Sequence, residues 1–196
     1  MNVLALDMTL CNTGYVVCGY RNGRWSLTGA GLIEAPKEDD KRAYVMTLDL
    51  KRTASFLRQL QRLNQEFHPR HLIVEQLSGT KSARAATTFG LVTGALAAFM
   101  EQTQLAVTLI KAPDAKKRLT GSKAASKVQM IRAALKLHPT LFDRAGIVPS
   151  KKGKWPDKVE HIADAYALFL TAVDGQELRQ LTQLAAELST NEEGFN

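Results

Sequence analysis

The sequence predicts an α/β fold in which one five-stranded mixed sheet, an antiparallel three-strand meander plus parallel strands, is flanked by helices. Three observations predict it. The opening segment holds three apolar runs separated by turn signals, the pattern of a meander. Strand and helix patterns then alternate, as in the crossover units that add parallel strands. Two of the runs, Val3-Leu4-Ala5-Leu6 and Leu72-Ile73-Val74, are continuously apolar, as strands buried on both faces are.

The first strand ends at Asp7. Asn12-Thr13-Gly14 marks a turn, Tyr15 to Tyr20 a second strand, and the Asn22-Gly23 pair a hairpin into a third strand from Trp25 to Ile33. Asp40 to Phe67 reads as a long helix, because Met46, Leu50, Leu57 and Leu60 recur at helical spacing, and Pro69 closes it. A fourth strand from His71 terminates at Glu75. Lys81 to Met100 reads as a second helix, with Ala83, Ala86, Gly90, Gly94 and Ala97 on one side. Each helical glycine costs about 1 kcal/mol against alanine, so a close approach of this side to the sheet is expected. Leu105 to Ile110 is a fifth strand. A short helix over Pro113–Leu119 and a longer one over Lys123–Leu137 follow. His138 to Trp155 has no periodicity and holds Pro139, Gly146, Pro149 and Gly153, which predicts a loop that is either mobile or functional. Pro156 and Asp157 open a helix to about Val173, and a last helix runs from about Glu177 to Leu188. The expected organisation is a main domain over residues 1–173 and an acidic helix and tail over 174–196.

Hydrophobic residues make up 45% and charged residues 23%, which fits a packed domain and excludes a disordered chain. The formal net charge of +7 favours a polyanionic partner, nucleic acid first. Its distribution is more informative than its total. From Lys111 to Lys136 eight basic residues (Lys111, Lys116, Lys117, Arg118, Lys123, Lys127, Arg132 and Lys136) stand against Asp114 alone. Lys151, Lys152, Lys154 and Lys158 form a second cluster, and from Asp174 onward the sign reverses. Cys11 and Cys18 have no partner at metal-finger spacing and read as free thiols in a reducing compartment. Asp7 interrupts the first apolar run, and the stretch from Leu91 to Met100 is short for a bilayer. A cytoplasmic protein without a signal peptide is expected.

Three acids stand out by position: Asp7 and Glu75 end apolar strands, and Asp164 lies in the helix after Pro156. Each has an ordinary reading when taken singly, as a turn cap, a solvated strand end or a surface helix residue. Together they suggest carboxylates converging on Mg²⁺ or Mn²⁺, since an unpaired charge beside a buried strand is expensive and hard cations choose oxygen ligands. Asp157, His161 and Asp164 are spaced i, i+4, i+7 and Glu160 and Asp164 i, i+4, a polar stripe in an otherwise apolar helix. His161 is a candidate ligand or acid–base group.

These residues carry a resemblance. Leu4-Ala5-Leu6-Asp7 followed by Thr13-Gly14-Tyr15, then Leu72-Ile73-Val74-Glu75-Gln76, then His161-Ile162-Ala163-Asp164-Ala165-Tyr166-Ala167-Leu168 resemble the RuvC-type Holliday junction resolvases of the RNase H-like nuclease superfamily. Gly90, Gly94, Lys127 and Gln129 add support, and the resemblance covers residues 1–172. It implies an RNase H-like fold and a Mg²⁺-dependent crossover junction endodeoxyribonuclease acting as a homodimer on four-way junctions. Asp7, Glu75 and Asp164 would hold two Mg²⁺ ions, for which Mn²⁺ can substitute, with His161 as the fourth member of the site. Lys116 and Lys127 match basic positions near the scissile strand. Lys117 and Lys123 belong to the same basic segment, and Lys81 and Arg84 at the start of the second helix are placed to hold phosphates.

The chain also departs from the family. Ser78 stands where a family member has an aromatic residue that meets the junction bases, the loop from His138 to Trp155 is longer, and the acidic tail lies outside the shared core. These features fit a divergent member, a phage-encoded one acting in host cytoplasm among the options, with broader cutting of branched DNA. Three other readings compete. An RNase H or transposase-like enzyme would use the same carboxylates. An actin-like ATP-dependent kinase would need a glycine that Asp7-Met8-Thr9 lacks. A non-catalytic DNA-binding module would leave the strand-end acids without a purpose.

Overall fold

The computed structural model describes residues 1–36, 44–77, 79 and 82–193, residues 185–193 by backbone alone. Strands β1 (Asn2–Asp7), β2 (Asn12–Arg21), β3 (Arg24–Glu34), β4 (Pro69–Glu75) and β5 (Ala106–Ile110) form one sheet in the order β3-β2-β1-β4-β5. The β1–β2 and β2–β3 pairs are antiparallel, and the β1–β4 and β4–β5 pairs are parallel. This is the expected mixed sheet. Strands β1 to β4 outrun their apolar cores because ladder hydrogen bonds continue where side chains turn polar.

The helices are α1 (Val45–Phe67), α2 (Ala83–Thr103), α3 (Ala112–Thr120), α4 (Lys127–Leu137), α5 (Val159–Val173) and α6 (Gln176–Glu193). Several begin later than their periodicity suggests, for local reasons. The expected start of α1 at Asp40 lies outside the described residues, and Tyr44 is the extended residue before the helix. Ser82 caps α2 by accepting from the Ala85 N–H, while Lys81 is outside the described residues. Ser126 and Gln129 form a reciprocal capping box that starts α4 at Lys127 rather than Lys123. Pro156 and Asp157 precede α5 in a turn, so Asp157 does not share the helix face of His161 and Asp164, and its side chain is 93% exposed.

Period-two alternation divides the core. Leu4, Leu6, Val17, Leu72 and Val74 face Phe56, Leu60 and Leu63 of α1 and Val92, Leu96 and Phe99 of α2. Val3, Ala5, Val16, Cys18 and Ile73 face α5, whose Ile162, Ala163, Ala165 and Ala167 are fully buried. Helices α3 and α4 pack outside α5. Helix α2 is long and apolar enough to span a bilayer by length and composition, but its Val92, Ala95, Leu96 and Phe99 are buried in this layer.

One expectation about the outer layer fails. The small-residue side of α2 does not touch the sheet: a Cβ at Gly90 or Gly94 would meet nothing within 4 Å. The residues at i, i+3, i+4 and i+7 from Val92 carry more apolar area and take the inner side instead. Met46 and Leu50, which recur at helical spacing with Leu57 and Leu60, are 74% and 59% exposed. Below them Asp49 is buried, and Arg84 of α2 holds both of its carboxylate oxygens. Arg84 therefore answers a buried carboxylate rather than standing free for phosphate.

The close approach that the glycines of α2 were expected to make occurs at Gly14, which pairs with Asp7 across the β1–β2 ladder. A Cβ at Gly14 would lie 2.0 Å from the carbonyl oxygen of His161 and 2.6 Å from the nitrogen of Ile162. The first turn of α5 thus rests backbone to backbone on β2, and nothing larger than hydrogen fits between them. Gly14→Ala is expected to push α5 off the sheet at a cost of about 1–3 kcal/mol or more, as overpacking does. Urea unfolding measures it, and wild-type stability would show that α5 can slide without penalty.

Candidate active site

The parity that sorts the core also aims the acids. Val3 and Ala5 face α5, so Asp7, two residues further, faces it too; Ile73 does the same for Glu75. Parallel pairing of β1 with β4 brings both acids to one end of the sheet. The Thr13 hydroxyl accepts from the Thr9 N–H and donates to the Thr9 carbonyl, holding the turn after Asp7 in one shape. From above, α5 contributes Glu160, His161 and Asp164.

Asp7 is buried, at 7% exposure, and its Oδ2 lies 2.6 Å from Nδ1 of His161. A carboxylate only accepts, so Nδ1–H donates and Nε2 is the ring atom left for other work. The bond to Asp7 raises the His161 pKa against the opposing effect of burial. Glu75 is pushed up to about 7, chiefly by burial, then by the charge of Asp7 and a carboxyl–carboxyl hydrogen bond with it, then by Asp164, with Lys116 opposing. Asp164 also rises to about 7, through burial first and the Asp7 charge second, against Lys116 and His161. Burial and the neighbouring Asp7 charge thus hold Glu75 and Asp164 partly protonated.

Glu75, Lys116 and Asp164 line a cavity of about 130 Å³ with Ala112, Ala115, Met130 and Leu168. A larger cavity of about 360 Å³, lined by Trp25, Arg118, His138 and Phe169, lies at the other end of the sheet, where Cys18 pairs with Val3. Among the described residues no carboxylate lines it, whereas Glu75 and Asp164 line the smaller one. Asp164 Oδ1 and Glu160 Oε2 are buried without a hydrogen-bond partner.

Among the described residues no three His, Cys, Asp or Glu side chains are gathered closely enough to enclose a metal ion as they stand, Asp7 being held by His161 and Glu75. The donor set nevertheless fits a hard divalent cation: all-oxygen carboxylates, raised pKa values that a positive charge would lower, and the orphaned Asp164 Oδ1.

The candidate residues separate into groups. Glu75, Asp164 and Lys116 line the pocket, Asp7 and His161 stand beside it as a hydrogen-bonded pair, and Lys127 donates to Glu160 Oε1 at 2.6 Å. Lys117 is exposed on α3, and Lys123 sits 3.7 Å from Asp114. Arg84 is committed to Asp49, and Lys81 and Ser78 lie outside the described residues. Glu160 is the group not singled out from the sequence. Its i, i+4 spacing from Asp164 was the available signal, but its partner Lys127 is 33 residues away.

Acids brought to one end of this five-stranded sheet, beneath a helix carrying a third, place the chain in the RNase H-like class of fold. A family model, crossover junction endodeoxyribonuclease RuvC, matches residues 3–172, and the chain belongs to that family. A RuvC from Chlorobium chlorochromatii is 28% identical over 141 residues, covering 70% of this chain and 69% of that protein. Among solved structures, Thermus thermophilus RuvC in complex with Holliday junction substrate superposes with a TM-score of 0.61 at 19% identity, over 88% of this chain and 93% of that one. The yeast mitochondrial Holliday junction resolvase Ydc2 gives 0.59 at 11% identity, over 86% and 76%. At such identities these two likenesses concern the fold alone.

The raised carboxyl values have a consequence for stability. Glu75 and Asp164 move from 4.5 and 3.8 to about 7, so in the metal-free protein the folded state binds the extra protons. Stability therefore falls as pH rises from about 4 to about 7 and stays low above that range. Asp164→Asn is expected to raise the melting temperature of metal-free protein at pH 8, and to raise it less at pH 5. The displacement is ~4 kcal/mol at full burial. Allowing for residual solvation, ~2 kcal/mol or ~4–8 °C is expected. Calorimetry at the two pH values checks it, and a lower melting temperature at pH 8 would mean that the ionised carboxylate is a net stabiliser.

Proposed function

We propose that the chain is a structure-selective DNA endonuclease that resolves Holliday junctions by paired symmetric nicks. The observation that carries this reading is the gathering of Asp7, Glu75 and Asp164 at one end of the sheet, the latter two lining one cavity with raised pKa values and an unpartnered oxygen on Asp164. Membership of the RuvC family supplies the substrate class.

In this reading Asp7, Glu75 and Asp164 hold divalent cations, with Mg²⁺ the natural choice, Mn²⁺ an acceptable substitute, and two per site the expected number. When bound, the ions supply Lewis-acid neutralisation of the charge that builds on the phosphodiester and its leaving oxygen. The protein's own groups do the rest. His161 fixes the Asp7 carboxylate through Nδ1 and offers Nε2, 3.9 Å from Glu160 Oε1, to hold or pass a proton. Lys116, which opposes the charge of Glu75 and Asp164, faces the phosphate from α3. Lys127 brings a second positive charge from the start of α4. Lys117 and Lys123 lie further out and add backbone affinity without sequence reading.

Cleavage of labelled four-way junctions, Y-forks, plain duplex and RNA–DNA hybrid in Mg²⁺, each with an EDTA control, tests the reading. Paired nicks in the junction, lost in EDTA, are expected. Comparable cutting of forks would widen the substrate to branched DNA, whereas preference for the hybrid would sink the junction assignment. Asp7→Asn is expected to keep junction binding while cutting falls by 10³-fold or more, on the order of a lost charge-stabilising group. Near-normal cutting by that variant would remove the metal-site argument.

Symmetric nicks require two equivalent sites, and a two-fold dimer is the simplest supply. The surface that supports one is on α1 and α2, where Tyr44, Val45, Met46 and Leu50 are 84%, 59%, 74% and 59% exposed beside the open Gly90 and Gly94 side. Met46→Asp with Leu50→Asp is expected to shift the protein from dimer to monomer in analytical ultracentrifugation and to uncouple the two nicks. A wild-type monomer, or a variant that stays dimeric, would move the interface elsewhere.

A further inference from the structure

We propose that the turn at residues 150–154 is a clamp for the sugar–phosphate backbone of a duplex DNA arm entering the active site; the inference rests on the nuclease reading above. The segment lies within the stretch that the sequence leaves without periodicity, yet it is anchored. Leu141 and Phe142 at its root are fully buried, and the Phe142 ring meets Trp155 edge-on with centroids 4.9 Å apart. The Ile147 N–H donates to the Phe142 carbonyl at 3.1 Å. These contacts fix both ends of the stretch.

The tip is closed as well. The Ser150 N–H donates to the Lys154 carbonyl at 2.8 Å, and the Gly153 N–H donates to the Ser150 carbonyl at 2.7 Å. Ser150 Oγ accepts from the Lys154 N–H at 3.1 Å, and Gly153 takes the left-handed conformation, φ 73°, that such a turn requires. This scaffold presents Lys151, Lys152 and Lys154 outward. Lys151 and Lys152 have no ion-pair partner among the described residues, and Lys154, 80% exposed, has only Asp157 at 3.8 Å. A preorganised cationic turn loses little further entropy when it meets an anion.

Its position gives the site a purpose. Lys158 donates to Glu34 at 2.8 Å, and Glu34 pairs with Asn12 at the same end of the sheet as Asp7. From Lys154 to His161 the chain has seven residues, so the turn lies within about 25 Å of the pocket. A duplex carries one phosphate charge per ~1.7 Å of axis, so an arm whose scissile bond sits over Asp7 passes several phosphates within reach of the turn. The chemistry recognised is the backbone alone: lysines on a turn offer point charges and no planar fork for base edges.

The test is binding of full-length protein to a fluorescent four-way junction and to plain duplex in EDTA, between 50 and 200 mM salt on the order used for such titrations. A triple variant, Lys151→Gln with Lys152→Gln and Lys154→Gln, is compared with the corresponding Arg triple. Each phosphate contact contributes about 0.9 to the slope of log affinity against log salt. The Gln triple is expected to lower that slope by about 2–3 on both DNAs, leaving the junction-to-duplex preference unchanged, while the Arg triple keeps the wild-type slope. Wild-type slopes in the Gln triple would overturn the clamp, as would equal losses in the Gln and Arg triples, which would point to a structural role. If the slope falls as expected but wild-type protein leaves junctions uncut in Mg²⁺, the clamp stands and the junction reading fails.

Discussion

Like charges crowded into a dry pocket repel one another, and much of this structure can be understood as a response to that repulsion. Asp7, Glu75 and Asp164 come from three elements and meet where burial penalises the ionised forms of Glu75 and Asp164. Strand alternation gives the first two a common direction, and the backbone contact at Gly14 sets the height of the third. His161 and Lys116 are the local compensation, one through a hydrogen bond and the other through charge. The compensation is incomplete, since both carboxyls remain well above their ordinary values. A site that wants a cation is destabilised without one, which is the usual tension between a functional pocket and the stability of its fold.

Much of the pocket was legible in the sequence because its acids interrupt apolar patterns. A run such as Val3 to Leu6 cannot end on a carboxylate without inviting the question of what answers it. The spacing of His161 and Asp164 was equally visible. What escaped depended on partners distant in sequence. Glu160 stands in the polar stripe of its helix, but its pairing with Lys127 is not visible there, and Arg84 looks free until Asp49, 35 residues away, is found buried beneath it. The glycines of α2 mark a different limit. Helical spacing tells which residues share a side, and it does not tell which side is inside. The competing stripe of Val92, Ala95, Leu96 and Phe99 was present at i, i+3, i+4 and i+7 and holds the larger apolar area.

The two faces of the sheet are used differently. On one, α5 is buried along most of its length and carries Glu160, His161 and Asp164, with α3 and α4 supporting it from outside. On the other, α1 and α2 cover the sheet with their lower halves and leave Met46, Leu50 and the glycine side of α2 in solvent. The subunit contact proposed for α1 and α2 would leave the pocket beneath α5 uncrowded.

The charge distribution follows from the same separation. A phosphodiester approaching three carboxylates is repelled unless positive charge within about 8–10 Å, the distance over which salt leaves charges visible to one another, offsets them. Lys116 and Lys127 meet that need directly, and Lys117, Lys123 and the lysines of the 150–154 turn extend it over the flanks. The acidic C-terminal segment is kept away. Its first helix, α6, begins where Glu177 accepts from the Thr108 hydroxyl, beside His71 near the start of β4. His71 pairs with Val3 at the far end of β1 from Asp7, so the negative helix docks at the end of the sheet that DNA does not need to approach. A net charge of +7 is thus a coarse description of a molecule that sets Lys116 and Lys127 beside its carboxylates and docks an acidic helix at the other end of the sheet.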